Sequence, residues 1–492
     1  MSSSSIYKPN LLNRLITKFI WVEKLNNIFG LILFVSLGIL YAFLVSYVGL
    51  SAGVLVIGGL IGVPVLLACM ANPQFGVAFT LGISFLVQLI GKYTEAPVGT
   101  SLDGLLVLMM CGIFIAQIRT KDWSFAKDPI STWLLIWVYY NLFQVLNPSQ
   151  ESKLAYIFTV RSLAVLNLLY FIACYAFSSL SRIKWMLHFV VGLAAITAIY
   201  GLKQEFIGFS EAEKAWIYSD PERFQLFFQW GRMRTFSLFN DAMTYGIMMT
   251  YMGLFCFIYA TAPIKNLKRI ILILAGILML ISTAYTGTRT CYVLIPLGFV
   301  FYAFMKLNRN VLITTLVFIF LGAGLVLKST SNAVIYRIQS AFKPSEDASV
   351  QIRYYNQKRI RPMIYSHPIG YGPGSTGLWA RRFTPNSFLA SFAHDSYYVR
   401  LAVEEGIIGM GLYMMLLFTV LRRALYHYLR VYDPTIKTLY LGMLTALFIL
   451  AVANYPQEAI VQLPTSLVVI IFFAAIVRLK DFDTIPEEPN IN

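Results

Sequence analysis

Residues 393–409 read Ala393-His394-Asp395-Ser396-Tyr397-Tyr398-Val399-Arg400-Leu401-Ala402-Val403-Glu404-Glu405-Gly406-Ile407-Ile408-Gly409. A polar stretch turns here, with no linker, into an apolar run that continues to about 421, the length of a membrane span. Upstream, Gly370-Tyr371-Gly372-Pro373-Gly374 closes a hydrophilic loop that starts near 329. Charged and polar side chains at a membrane surface are costly unless something offsets them. Chemistry, if the chain does any, is expected in this stretch.

Outward from this point the chain is mostly hydrocarbon. Of its 492 residues 58% are hydrophobic and only 13% charged, and the mean hydropathy is +0.68, whereas soluble domains carry about a quarter charged residues. Apolar windows of about 17 residues or more fall near 28–49, 51–71, 74–91, 102–118, 130–147, 154–177, 185–206, 236–261, 270–286, 289–305, 311–328, 397–421, 437–455 and 461–478. They predict an all-α polytopic membrane protein of about 14 transmembrane helices. Because almost nothing joins the first two windows, one re-entrant hairpin would reduce the count to about 12. The expected organisation is a cytoplasmic segment over 1–27, a single transmembrane domain over 28–478 and a short acidic tail over 479–492. Two long loops, 207–235 and 329–396, interrupt the apolar pattern.

Basic residues orient the chain. Lys8, Arg14, Lys18 and Lys24, then Arg119, Lys121 and Lys127, then Lys265, Lys268 and Arg269, and finally Arg422, Arg423 and Arg430 all fall on one side. That side is expected to be cytoplasmic, with both termini on it. The N-terminal serines and bases lack the adjacent apolar stretch of a cleaved signal peptide. Both long loops then face outward. Loop 329–396 holds eight basic against three acidic residues, which calls for an anionic partner. On that side of a membrane, lipid headgroups or a lipid-linked phosphate fit and nucleic acid does not.

The remaining side chains narrow the chemistry. Cys69, Cys111, Cys174, Cys256 and Cys291 all lie in predicted spans without metal-ligand spacing, and read as small apolar residues. No paired-carboxylate or Asp-x-Asp motif stands outside; Glu346-Asp347 and Asp220/Glu222 read as turn residues, so no metal or other cofactor is expected. Loop 207–235 is rich in aromatics (Trp216, Tyr218, Phe224, Phe227, Phe228, Trp230) that suit a membrane interface or sugar stacking. Ser349 to Arg361 reads as a basic helix with Arg353, Gln357 and Arg361 on one face, kinked or ended by Pro362. Glycines 370, 372 and 374 permit positive φ, and their exposed N–H groups could cradle an anion.

Arg161 sits seven residues into its span, about 10 Å deep, where an arginine is paired, snorkels or lines a polar cavity; no acid lies one turn away in sequence. Arg289 and Arg234 stand in outer turns next to apolar windows, where interfacial anchoring and ligand binding are both open. Among the four histidines, His188 reads as a core residue, His427 has no assigned role and His367, before Pro368, suits a turn. His394 stands at the outer entrance of a helix beside Asp395, where a neutral imidazole could take a proton from a sugar hydroxyl. Capping by Asp395 or Ser396 is the structural alternative for its neighbours.

Together these motifs resemble the O-antigen ligase/polymerase family of bacterial membrane glycosyltransferases. The resemblance lies in His367-Pro-Ile-Gly370-Tyr-Gly372-Pro-Gly374, in Ala393-His394-Asp-Ser-Tyr-Tyr and in Ala402-Val-Glu404-Glu-Gly406-Ile-Ile-Gly409. Thr286-Gly-Thr-Arg289, Arg234-Thr-Phe-Ser-Leu-Phe-Asn240 and Arg353 extend it over about residues 230–410. Asp395 departs from the family's usual Asn, and Tyr398 from an aliphatic position.

The resemblance implies a GT-C-like fold with a large, partly helical outer loop at the periplasmic face of the inner membrane. It also implies metal-independent, inverting transfer from an undecaprenyl-diphosphate-linked glycan. In that reading His394 is the base, and Arg289 and Arg353 hold the diphosphate with Arg234 and Arg161 in support. Gly370, Gly372, Gly374, Asp395 and Glu404 shape the loop. The acceptor would be a saccharide: a repeat unit in a polymerase, with a chain-length regulator as a further partner, or the lipid A core in a ligase. A protein hydroxyl is a third acceptor, and a lipid-linked oligosaccharide flippase is the reading from another class.

Overall fold

The computed structural model describes residues 28–93, 98–229, 231–327, 330, 332–342 and 348–483. Lys8, Arg14, Lys18, Lys24, Trp230, Lys343, Glu346, Asp347 and the tail residues Pro486, Glu487, Glu488 and Pro489 lie outside them. Several helix starts are written locally as an Asx–Pro pair. Asn72-Pro73, Asp128-Pro129, Asp220-Pro221 and Asp433-Pro434 each place a side-chain oxygen on the first-turn N–H groups and a proline where no N–H is needed.

The chain groups into two compact units, Met1–Ala68 and Cys69–Asn492. In the first, the apolar helix Ile28–Val48 ends at Gly49, whose left-handed backbone (φ 98°) lets its N–H reach the Val45 carbonyl at 3.0 Å. The helix Leu50–Ala71 begins directly after it.

The second unit is an all-α membrane architecture. Among the described residues, 8 helices of the chain are long and apolar enough to cross a membrane. Every window expected from the sequence falls on a helix. Several of those helices, such as Pro129–Phe143 and Thr465–Leu479, are too short to be counted among the eight (15 residues each). Ala242–Ala260 and Pro434–Ala453 form the core, with 89% and 78% of their apolar windows buried, and Thr465–Leu479 joins them, almost wholly buried. Helices apolar on all sides have to be enclosed by others. Phe255 stacks on Phe472 with centroids 5.5 Å apart. Ala242–Ala260 also crosses Asn266–Tyr285 so closely that a Cβ on Gly276 would stand 3.2 Å from the Gly253 carbonyl; small residues allow such crossings.

Two expected spans are redrawn. Window 236–261 becomes a helix only from Ala242, because Phe228–Gln229 and Arg232–Met233 form a short antiparallel hairpin and the next residues a turn. Window 397–421 is not one helix. Tyr397–Glu404 ends, and Gly406–Arg430 begins on a new axis through the left-handed Gly406 (φ 72°). A Cβ at 406 would lie 2.0 Å from the Pro368 carbonyl. The carbonyls released by the break are taken up: Tyr371 N–H donates to Val403 O (2.9 Å) and Gly372 N–H to Glu404 O (2.7 Å), while the Tyr140 hydroxyl joins Gly409 N–H on Glu405 O (2.7 Å). This satisfies the rule that buried backbone groups must be paired.

Gly406→Ala is therefore expected to destabilise the protein by more than about 1 kcal/mol, read as a lower melting temperature in detergent. Gly411→Ala, where a Cβ meets nothing within 4 Å, is expected to melt like wild type. Equal melting of the two variants would refute the close approach.

Candidate active site

The glycine run is the underside of this break. Gly370, Gly372 and Gly374 take positive φ (79°, 91° and 82°), as their spacing suggests. Their N–H groups are not an exposed anion cradle, however. Gly370 N–H donates to His367 O, those of Tyr371 and Gly372 serve the broken helix, and residues 372–376 are buried. Glycine is required because the backbone presses on Glu404, Gln150 and Ala155. Glu404 fastens the turn from the other side, accepting from the Thr376 hydroxyl and N–H and from Arg400 Nε (3.1 Å).

Above the turn lies the outer helix Ala348–Ser366. It neither ends nor starts anew at Pro362, which sits inside it; the helix stops before His367-Pro368, where the residue preceding a proline disfavours helix. Its inner face is set by Ile360, Met363 and Ile364, packed on Leu389, Phe392 and Val403. That face carries Arg353 and Gln357 inward, whereas Arg361, Ile352, Tyr354 and Tyr355 stay exposed. Arg353 Nε stands 3.5 Å from Asp395 Oδ2, and Asn356 donates to the Ala393 carbonyl (3.2 Å). Asp395 itself is left-handed (φ 52°), a conformation that Asn and Asp tolerate best after glycine.

These contacts deliver His394. Its Nε2 lies 2.5 Å from Glu458 Oε1. Glu458 also accepts from Arg400 Nη1 at 3.3 and 3.1 Å and from Gln462 at 3.2 Å. Burial alone would raise the Glu458 pKa; the Arg400 charge and the His394 bond outweigh it and hold the carboxyl down at about 2. An ionised carboxylate can only accept, so the imidazole hydrogen belongs on Nε2. Nδ1 is left with the lone pair, buried and without a hydrogen-bond partner among the described residues. The geometry is that of a base oriented by an acid.

A second group gathers at Thr286-Gly287-Thr288-Arg289, the turn between Asn266–Tyr285 and Arg289–Lys306. Arg234 clamps it, donating to Thr286 O (2.7 Å), Thr288 Oγ1 (3.1 Å) and Leu226 O (3.1 Å). Arg289, at the helix entrance, lies close enough to Arg353 and Arg234 for their charges to repel. Three of the four predicted arginines thus belong to one neighbourhood, joined to His394 through the Arg353–Asp395 pair. Arg161 stands apart: it pairs with Asp103 on the neighbouring helix Val98–Thr120 (3.2 Å) and covers the Phe158 ring. Its partner acid, missing one turn away in sequence, comes from another helix.

Other predicted residues settle into structural places. The His367 ring stacks on Tyr371 (4.2 Å), His188 lies beside the Tyr259 ring, and His427 is buried against Tyr440. All five cysteines are unbridged. Trp216 and Phe227 of loop 207–235 do not lie out at an interface but close a small core with Ile217 and Phe236, leaving Tyr218 and Phe228 exposed. Glu458 escaped the sequence reading. Its one signal is a lone acid in the short outer connection on the side of His394. Arg400 escaped it too, and its signal is the i, i+4 spacing to Glu404.

Residues 274–414 match the family model described as O-antigen ligase. This segment is similar to O-antigen ligases. The resemblance read from the motifs is shown by this match, and no curated protein matches the chain. The matched segment takes in Arg289, Arg353, His394 and the break at Gly406, whereas Arg234 and Glu458 lie outside it.

Glu458→Gln keeps the shape but removes the charge that fixes the imidazole. Because the folded pKa is depressed from 4.5 to about 2, Glu458 stabilises the fold above its ordinary value and stops doing so as pH falls through 2. The wild-type melting temperature should therefore drop over that window, while Glu458→Gln starts lower and lacks this part of the slope. Superimposable pH profiles would remove the charged partnership with Arg400.

Proposed function

We propose that the protein transfers a glycan from undecaprenyl diphosphate to a saccharide hydroxyl at the periplasmic face of the bacterial inner membrane. The observation that carries this reading is the His394 ring, held at Nε2 by Glu458 near a group of guanidiniums, with an Nδ1 that has no hydrogen-bond partner among the described residues. The acceptor O–H gives its proton to Nδ1 as its oxygen attacks the anomeric carbon opposite the diphosphate. The anomeric C–O bond breaks, its electron pair leaves on the phosphate oxygen, and the new linkage is inverted. Glu458 balances the imidazolium that forms. Arg289 and Arg353 take up the charge growing on the leaving diphosphate, and Arg234 holds the turn that carries Arg289. Arg161, which the sequence placed in support of the diphosphate, stands apart with Asp103 and is given no step.

A cavity of about 330 Å³ supports a lipid-linked donor. Leu163, Leu166, Leu417, Val469 and Phe473 line it, with Arg400 and Glu404 among its polar residues, and such walls suit an isoprenoid chain. The proposal includes 12–14 crossings as expected from the sequence, a GT-C-like arrangement and cytoplasmic termini. We assign the acceptor as another repeat unit, making the protein a polymerase; ligation to lipid A core or to a protein hydroxyl would use the same chemistry.

Glycan output of a deletion strain, complemented with wild type or variants, tests this. Loss of long chains while single repeats still cap the lipid A core identifies a polymerase; loss of all capping with lipid-linked polymer accumulating identifies a ligase. Arg289→Ala and Arg353→Ala should each lower transfer by about 10²–10³-fold at normal membrane levels. Full rescue by His394→Ala would discard the base and leave the flippase standing.

A further inference from the structure

The helix Ala333–Ser340 brings a further guanidinium to the turn that carries Arg289. Asn332 caps it, accepting from Val334 N–H (2.9 Å) and Ile335 N–H (3.4 Å), and its last turn drives Arg337 under Gly287. Arg337 is only 9% exposed. Its Nε donates to the Gly287 carbonyl and its Nη2 to Gln229 Oε1. Its Nη1 is buried and has no hydrogen-bond partner among the described residues. The side chain lines a small cavity with Gln229, Arg232, Arg234 and Gly287.

The charges around it do not cancel. Arg232 is matched by Glu205 and Arg353 by Asp395. Arg337, by contrast, is held by neutral oxygens; the Arg234 guanidinium beside it bonds neutral oxygens too and has Asp241 as its nearby acid. Burial, with Arg234 and Arg289 adding to it, lowers the Arg337 pKa to about 10, still protonated at neutral pH. A buried fork with one arm unused, crowded by like charge, is an arrangement that an oxyanion completes.

We propose that Arg337 is a binding residue of the donor site, its Nη1 taking a phosphate oxygen of the lipid-linked diphosphate while its other arms hold the Arg289 turn. This rests on the reading of the arginine group as the diphosphate site. A carboxylate on a glycan sugar offers the same oxyanion chemistry, so both sources are tested.

The experiment titrates inorganic pyrophosphate, and separately glucuronate, into the purified full-length protein in detergent. Wild type is compared with Arg337→Gln, Arg337→Lys and Arg289→Gln, each melted without ligand to check folding. The expected result is at least tenfold weaker pyrophosphate binding by Arg337→Gln, which still folds but melts lower because the turn loses two hydrogen bonds, with partial recovery in Arg337→Lys. Should Arg337→Gln not fold, Arg337→Lys decides alone, and wild-type affinity in it overturns the proposal. Wild-type affinity in Arg337→Gln with loss in Arg289→Gln would confine Arg337 to the turn and leave the diphosphate site intact. Loss of glucuronate binding alone would overturn the phosphate assignment. Failure of wild type to bind pyrophosphate would overturn the site itself.

Discussion

A helix broken inside the protein, away from water, must have its freed carbonyls bonded within it, and much of the site follows from that demand. Between Glu404 and Gly406 the chain changes axis, and the donors that repair the break come from the glycine turn at 370–372. The turn is held in place by serving the helix, and the helix is stable only while the turn serves it. Glu404 closes the arrangement by holding Thr376 with one oxygen that it shares with Arg400.

From Arg400 the order passes outward. One guanidinium spans Glu404 and Glu458, and Glu458 in turn fixes the His394 ring. The outer helix Ala348–Ser366 is seated by Ile360 on Leu389, Phe392 and Val403, so the position of Arg353 depends on the same short helix Tyr397–Glu404. His394, Arg353 and the break share one support. The Arg289 turn is held separately, by Arg234 and Arg337.

Much of this was legible in the chain. Apolar windows located the helices because hydrophobic length is a local property, and the Asx–Pro starts could be read residue by residue. The positive φ of Gly370, Gly372 and Gly374 was also legible. The destination of their N–H groups was not, because that depends on carbonyls exposed by a break some thirty residues downstream. The break itself hid inside a window read as one span, where Arg400, Glu404, Glu405 and Gly406 together marked it. Glu458 and Asp103 were missed for a related reason. Each is an ordinary acid in sequence, and becomes a partner of His394 or Arg161 only when distant helices meet. Arg337 counted only as loop charge until its burial under Gly287 gave it a direction.

The residues that match the family model stop at 414, and the acid that orients His394 comes from 458. Recognisable homology and the working unit therefore have different boundaries. A chimera built by exchanging 274–414 between related chains would import a histidine and leave its carboxylate to whatever the host supplies after the next helix. Modularity in this architecture runs through space, across the last two helices of the core, and not along the segment that sequence comparison recognises.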